Sequence, residues 1–491
     1  MKLKKDNIMK KIIFINPPTP QKGIIIIRDL DRSGRQTREK IIWPQANLAY
    51  LAAVMKKDGF DVGIIDCIAD KIYWGKFEKL LVKEKADYIL SNVISSTLTN
   101  DMKVFDVAKK IGAKTIAVGS HVSALSGESL KNFRNLDYVV IGEAEETLSE
   151  LVKTIEVNGD LSAVKGIAYR KENGEIIVNE KRPLIENLDS LPIPLHELLP
   201  LKKYNLPFIG KNFTFIMESR GCPFRCIFCR SPIAWNRIFR QRSAESIFEE
   251  IKYLKKLGVK NILFHSDTFT VDKKEVIKLC KLIIDSGLKI KWICNSRVDT
   301  IDEEVLPWMK RAGCYMIAYG IESGSQKVLN NANKGITVEQ IKRAVQITNN
   351  AGIKVWGYFV MGLPGENKDT VEETIKLAKG LDMALTNFAV AAPYPGTDFF
   401  KLVSDQGWLT SSNWEEFDQN YSAIVSYPDF SSEDIVKSMK RAYKEYYFRP
   451  KAVWNLLKVV RSLNDLRVLT DTAFAHLKWM FFKKKSTNPT K

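Results

Sequence analysis

The sequence predicts an α/β protein, with two successive units of parallel sheet and helix and then a mostly helical C-terminal region. Three observations carry this expectation. A motif of amphipathic helix, glycine and short apolar strand recurs along most of the 491 residues. A proline-rich break, Leu191-Pro192-Ile193-Pro194 with Pro200, divides the recurrence in two, because proline and the residue before it resist helix. A triplet of cysteines follows the first strand of the second block directly.

The first block opens with an apolar strand over 11–16. It continues with a helix over 46–57, Gly59 and a strand over 62–66, and a third strand follows over 88–93. A helix over 101–110, Gly112, a strand over 115–118 and a last strand over 137–141 complete it. Glycine suits the left-handed position just past a helix end. Five strands alternating with helices argue for a parallel sheet covered on both faces, in the flavodoxin-like (Rossmann-like) manner. From Gly166 to Glu180 the rhythm changes to two short apolar runs around Asn173-Gly174, the pattern of a β-hairpin. A first domain is therefore expected over 1–165, with hairpin and linker over 166–205.

In the second block a strand over 213–218 precedes helix–glycine–strand units at Gly258, Gly287, Gly313, Gly352 and Gly380. Six such units are too few for the usual eight-stranded barrel, so a partial (β/α)6 barrel is expected over 206–400. Such folds keep their chemistry at the C-terminal mouth, where the cysteine loop would lie. Residues 401–491 form the expected helical C-terminal region.

Hydrophobic content of 45% and charged content of 27% are those of an ordinary globular protein. The formal charge of +18 is unevenly spread: from Arg449 to Lys491, ten Lys/Arg face only Asp465 and Asp471, a net +8. There Trp454, Leu457, Phe474, Leu477 and Trp479 interleave with basic residues, as on an interfacial helix. A basic helix packed on its own domain explains the pattern equally well. No apolar run approaches the ~20 residues that span a bilayer. No nucleic-acid motif accompanies the basic residues, so nucleic acid is not an expected partner. Seven cysteines, an odd number with no signal-peptide pattern, do not form a disulfide framework and fit a reducing cytoplasm. Cys67, Cys280, Cys294 and Cys314 fall in or beside apolar strand and helix patterns and are expected in the core.

Between Ser219 and Arg230 the chain places Cys222, Cys226 and Cys229 at C-x3-C-x2-C spacing, with no fourth metal ligand beside them. A structural zinc site closes with four protein ligands, whereas an iron-sulfur cube held by three cysteines leaves one iron open to a reactant. Gly221 permits a tight path and Pro223 restricts it. Arg220, Arg225 and Arg230 flank the thiols, and positive neighbours would favour the thiolate. A zinc knuckle lacking its last ligand and a chance grouping are the alternatives.

With the aromatic Phe228 just before the third cysteine, the loop resembles the signature of the radical S-adenosylmethionine enzymes. The resemblance implies a 4Fe-4S cluster on Cys222, Cys226 and Cys229, with S-adenosylmethionine chelated at the open iron and cleaved to a 5'-deoxyadenosyl radical. It also implies an electron donor such as flavodoxin or ferredoxin. Further cofactor contacts would come from Phe228 and from later strand ends. These are Asp267 toward the amino group, Arg297 toward the carboxylate, Glu322 at the ribose hydroxyls, and Gly362 in the segment facing adenine. Arg297 serves an internal ion pair equally well, Glu322 reads also as a helix-start carboxylate, and His265 reads as a rim or core histidine. Lys334 and the segment Pro393-Tyr394-Pro395-Gly396-Thr397 match family features without an assignable role.

The first block resembles the cobalamin-dependent subgroup, on Ile15-Asn16-Pro17-Pro18, Trp43-Pro44-Gln45 with Leu48-Ala49, and Gly142-Glu143-Ala144-Glu145. The resemblance implies a corrin over the strand ends, contacted by Ser95 and Ser96 after the third strand and by Gly119 and Ser120 after the fourth. The Asp-x-His-x-x-Gly motif that supplies a histidine to cobalt elsewhere is absent after the first strand, where Pro17 to Gly23 stands instead. The resemblance then implies a cobalt without that histidine and with a weakly ligated lower face, His121 being the alternative partner. A sheet that no longer binds corrin is the alternative.

The activity implied is methylation of an unactivated carbon on a hydrophobic or natural-product-like substrate, a small molecule or lipid. Oxidative ring closure or rearrangement is the alternative within the superfamily, and a non-catalytic cobalamin and iron-sulfur sensor the alternative outside it. The expected location is cytoplasmic, with peripheral membrane contact through the tail. The charged segment 28–40 is expected to help cover the barrel mouth.

Overall fold

Short apolar runs rich in β-branched residues, each followed by a helix with one buried face, build two large sheets, of seven and six strands. The computed structural model describes residues 9–22, 24–28, 35–36, 41–206, 210–420, 422–458, 460 and 463–481.

The first sheet takes strands β1 (Lys11–Asn16), β2 (Asp61–Asp66), β3 (Tyr88–Asn92), β4 (Lys114–Val118), β5 (Tyr138–Val140), β6 (Ile167–Arg170) and β7 (Ile176–Val178). Helices α1 (Ala46–Lys57), α2 (Trp74–Glu84), α3 (Leu98–Lys110) and α4 (Glu145–Glu156) cover its two faces. The order is β2-β1-β3-β4-β5-β6-β7, parallel as far as β5. The order reverses at β1 and β3, which places a ligand crevice at their C-terminal ends. The hairpin that sequence reading assigns to the linker segment continues this sheet, with β6 antiparallel to β5 and Ala168 opposite Val139. Ile167 and Ala168 are fully buried, and the pairing covers what would otherwise be an open edge at β5.

The second sheet takes β8 (Phe213–Ile216), β9 (Asn261–Phe264), β10 (Lys291–Ser296), β11 (Cys314–Glu322), β12 (Lys354–Met361) and β13 (Leu385–Val390), all parallel in chain order. Between them run α5 (Ala244–Lys256), α6 (Lys273–Asp285), α7 (Val305–Arg311), α8 (Val338–Asn350) and α9 (Lys368–Gly380). The first and last strands, β8 and β13, do not pair, so the barrel is open on that side. Helix α10 (Ser432–Tyr447), started by a capping box on Ser431, packs Ile435, Met439, Tyr443 and Tyr446 into the barrel core. Helices α11 (Pro450–Leu457) and α12 (Leu463–Phe481) follow. No described helix is long and apolar enough to cross a membrane.

Strand β8 is shorter than expected and ends at Ile216. Ser219 and Arg220 pair instead with Gln241 and Arg240, a ladder that ties together the two ends of the cysteine loop. Arg220 also reaches into the first unit, donating to Glu143 at 2.6 Å and, as a fork, to Glu145. Arg240 donates to Glu143 at 2.8 Å, and all four side chains are buried. Arg28, the first residue of the charged segment 28–40, is turned inward. It is buried on Asp101 at 2.8 Å and on the carbonyl of Pro17, while 29–34 and 37–40 lie outside the described residues. Of the basic tail, Val459, 461–462 and 482–491 also lie outside them. Cys67, Cys280, Cys294 and Cys314 are buried, as expected of core residues.

Candidate active site

Cys222, Cys226 and Cys229 sit on the loop between the Arg220 ladder and the short helix Ser231–Trp235. Gly221 has φ +79°, and a Cβ there would strike the carbonyl of Ile238, so the loop can turn only on glycine. Cys226 is buried and the other two are half-buried. Among the described residues, no three His, Cys, Asp or Glu side chains converge as ligands of a single metal ion. Zinc would draw thiolates to about 2.3 Å of one point. A cube with one thiolate at each of three corners holds them further apart. Burial, and next the Asp267 carboxylate, push the Cys222 and Cys229 thiols up. Metal ligation would therefore have to displace their protons. The expected cationic surround is different in detail: Arg220 is spent on Glu143 and Glu145, and Arg225 is exposed. The guanidinium that meets a thiol is that of Arg297, whose Nη1 lies 3.6 Å from Cys226 Sγ.

Between the loop and the strand ends lies a cavity of about 290 Å³, walled by Phe228, Cys229, Asp267, Arg297, Glu322 and Lys334. Three sequence-predicted cofactor residues, Asp267, Arg297 and Glu322, thus meet the cysteine loop with its own Phe228, while Gly362 is not in the wall. Asp267 accepts from the Ser231 hydroxyl. Arg297 forks onto Asp299 at 2.9 Å through Nε and Nη2 and donates to the Lys334 carbonyl at 2.8 Å. Its plane stacks over Phe224. The internal ion pair is present, and Nη1 alone is left toward the thiols.

Glu322 ends β11 at a bulge, where the register against β12 slips between Gly320 and Glu322. Its φ is +65°, a region costly for a residue with a side chain and concentrated at functional sites. The bulge re-aims the carboxylate into the cavity, where it accepts from Lys334 Nζ at 2.7 Å, both groups buried. Burial works against the charge of Lys334, yet the facing carboxylate holds its ammonium above the usual range. Sequence reading gave Lys334 no role, because its partner stands twelve residues away on a different element. Asn295, Tyr358 and Gln419 also line the cavity and went unmarked. Gly362 is buried just behind the site: its N–H donates to Glu366 and its carbonyl accepts from Tyr427 at 2.8 Å. His265 is packed in the barrel, stacked on Phe215 with ring centroids 4.5 Å apart.

In the first unit Ser95, Ser96, Gly119 and Ser120 gather, buried, beyond the C-terminal ends of β3 and β4. Gly119 has φ +120°, and a Cβ there would stand 2.5 Å from Asn92 Oδ1 and 2.6 Å from the Val93 carbonyl. Beside it Ser120 Oγ and Asn92 Oδ1 are buried without a hydrogen-bond partner, an open capacity that fits a ligand with polar groups. His121 is buried, 2.9 Å from Ser95 Oγ and edge-on to Trp414. Burial and then Arg230 lower its pKa to about 4, so the ring is neutral. Arg230 adjoins Cys229 in sequence, so the two sets of strand ends face one another.

The fold and site define an enzyme of two α/β units whose ligand-binding ends converge on a three-cysteine loop. The Radical SAM superfamily matches residues 218–378, and the B12 binding domain matches residues 40–152. An uncharacterized methyltransferase of Pyrococcus horikoshii is 35% identical over 446 residues, covering 90% of this chain and 94% of the relative. The anaerobic magnesium-protoporphyrin IX monomethyl ester cyclase of Rubrivivax gelatinosus is 30% identical over 415 residues, covering 82% and 74%. In fold the chain resembles the cobalamin-dependent S-adenosylmethionine radical enzyme OxsB, solved with aqua-cobalamin bound. The TM-score is 0.73 at 16% identity, over 96% of this chain and 72% of that one. The chain belongs to the cobalamin-dependent radical S-adenosylmethionine enzymes.

Proposed function

We propose that the chain methylates an unactivated carbon of a hydrophobic small molecule. In this reading residues 1–165, with the hairpin of 166–178 that extends their sheet, hold the corrin, 206–400 hold the cluster and S-adenosylmethionine, the rest of 166–205 links them, and 401–491 complete the substrate side. The observation that carries it is the cavity in which Cys229 of the cysteine loop shares a wall with Asp267, Arg297, Glu322 and Lys334. Cys222, Cys226 and Cys229 would hold the cluster. Asp267 would accept from the ligand's amino group, and Arg297 Nη1 with Lys334 would meet its carboxylate. Glu322, fixed by its bulge, would take the ribose hydroxyls, and Phe228 would pack beside them. Gly362 would act only by shaping the end of β12. Ser95, Ser96, Gly119 and Ser120 would hold the corrin tail. Bound there, the cluster would supply an electron for opening the sulfonium and the corrin would carry the methyl group. The Arg230 guanidinium stacks on the Tyr394 ring at 4.4 Å and narrows the mouth against water.

Methyl transfer is favoured by the Pyrococcus horikoshii relative; ring closure is the second reading, favoured by the Rubrivivax gelatinosus relative. Products separate them. Methylation converts one S-adenosylmethionine to 5'-deoxyadenosine and methionine, and a second to S-adenosylhomocysteine, for each methyl group installed. We expect both in equal amounts from anaerobically reconstituted protein with a low-potential donor such as flavodoxin or ferredoxin, and neither from Cys226→Ala. Substrate turnover with 5'-deoxyadenosine alone would sink the methylase reading; a protein that holds both cofactors and forms neither product would be a sensor. A cytoplasmic site of action belongs to the same reading, as does peripheral membrane contact, which the exposed Trp454 and Phe474 support.

A further inference from the structure

We infer that the substrate is a membrane lipid whose hydrocarbon chain threads from the C-terminal helices, through the open side of the barrel, to the cysteine-loop cavity. This deepens the proposed function and rests on it for the place of reaction. Three cavities lie end to end. The outermost, of about 890 Å³, is bounded by β13, α10, α11 and α12, with Tyr447, Val453, Leu457, Leu466 and Leu477 among its walls. The second, of about 250 Å³, lies inside the barrel among Ile27, Trp43, Leu263 and Ile293. The third is the reaction cavity. The first two share Ile41, Leu206, Trp356 and Asn387 as walls, and the last two share Asn295, Ala318, Tyr358 and Gln419. The shared residues place the three cavities in a row, and side-chain movement at Trp356, Asn387 and Tyr358 would join them into one passage. Its outer cavity lies against β13, the last strand of the open barrel, on the side where α10 packs.

The polarity of the passage identifies its occupant. Apart from Arg449, Asn387 and a few threonines, the outer walls are aliphatic or aromatic. Side-chain amides appear together at the inner junction, as Asn295 and Gln419, and apart from Arg449 at the outer end the charged side chains lie beyond them. A polar or charged molecule would lose its hydration along this route with nothing to replace it; a hydrocarbon chain loses nothing. Trp356 at the outer junction and Tyr358 at the inner one are two residues apart on β12, about 7 Å at ~3.3 Å per residue. A chain must therefore pass well beyond the groove before its reacting carbon meets the cavity. Around the entrance Phe448, Trp454 and Phe474 are exposed, the last two by 60% and 71%. An exposed apolar cluster on a segment of net charge +8 suits an anionic bilayer surface. A lipid chain could then pass from bilayer to groove without entering water.

The test uses the full chain and unilamellar vesicles of phosphatidylcholine and phosphatidylglycerol carrying a phospholipid with a fluorescent polyene chain. Energy transfer from tryptophan to the polyene is read on titration. Saturable transfer at one chain per protein is expected. Val453→Asp with Leu457→Asp, at residues 47% and 46% exposed, should weaken it at least tenfold by charging the groove. Ala473→Trp should do so by filling it. None of these residues touches the reaction cavity, so substrate-free formation of 5'-deoxyadenosine should stay within about twofold. Absence of saturable transfer, equal affinity in the variants, or a dimer that buries the groove and excludes the polyene would each overturn the inference. Chain binding without S-adenosylmethionine cleavage would instead leave the passage standing and remove the proposed chemistry.

Discussion

Glu366 is buried behind Gly362, with one carboxyl oxygen accepting the Gly362 N–H and the other without a partner. Burial, only partly offset by that N–H, pushes its pKa from 4.5 to about 8. Between those values the folded protein keeps a proton that the unfolded chain has lost. The stability contributed by neutral Glu366 is therefore fully present below pH 4.5 and is lost as pH rises through 8. Glu366→Gln keeps the acceptor for Gly362 and cannot ionise. We expect it to match the parent in urea unfolding near pH 4.5 and to exceed it by a few kcal/mol, on the order of the shift itself, at pH 9. An unchanged difference across that range would refute the account. At this scale the cysteines were legible because their spacing is local. Lys334 and Arg220 were not: the partner of Lys334 is twelve residues away, and Arg220 meets Glu143 across 77 residues.

Among elements, the turn after β4 depends on one residue. A Cβ at Gly119 would meet a side-chain oxygen and a backbone carbonyl, and φ +120° is itself unfavourable to any other residue. Gly119→Ala should therefore move the strand end, costing roughly 2–3 kcal/mol and abolishing the visible absorption of bound corrin. The iron-sulfur absorption of the barrel should persist. Equal loss of both chromophores would mean the change had unfolded the whole chain and not only this turn. The helix–glycine–strand rhythm made nearly every long element readable, since buried faces repeat at fixed periods. The bulge at Glu322 left no such trace, because a bulge is a slip of register between β11 and a strand still to come. Likewise Asn173-Gly174 marked the hairpin, but its addition to the β5 edge is a pairing between elements.

At the level of the whole molecule, Arg220 couples the cysteine loop to the first sheet through Glu143 and Glu145. Arg220→Met would leave buried carboxylate charge short of its partner and should cost roughly 3–5 kcal/mol. In calorimetry the two units should then melt as separated transitions. Arg343→Met, which breaks an ion pair with partners 70% and 59% exposed, should shift the melting temperature very little. A single unshifted transition in Arg220→Met would show that other contacts couple the units. The sequence by itself determined the class of each sheet, the open six-unit barrel and the thiol triplet at its mouth, because periodicity and close spacing are properties of short stretches of chain. Only the tertiary structure decided that Arg297 is divided between Asp299 and a thiol, that Glu322 faces Lys334, and that the C-terminal helices wall a cavity against β13. Burial and pairing of charge depend on groups brought together from distant parts of the chain, and a cavity is shaped by walls from elements that no local pattern links.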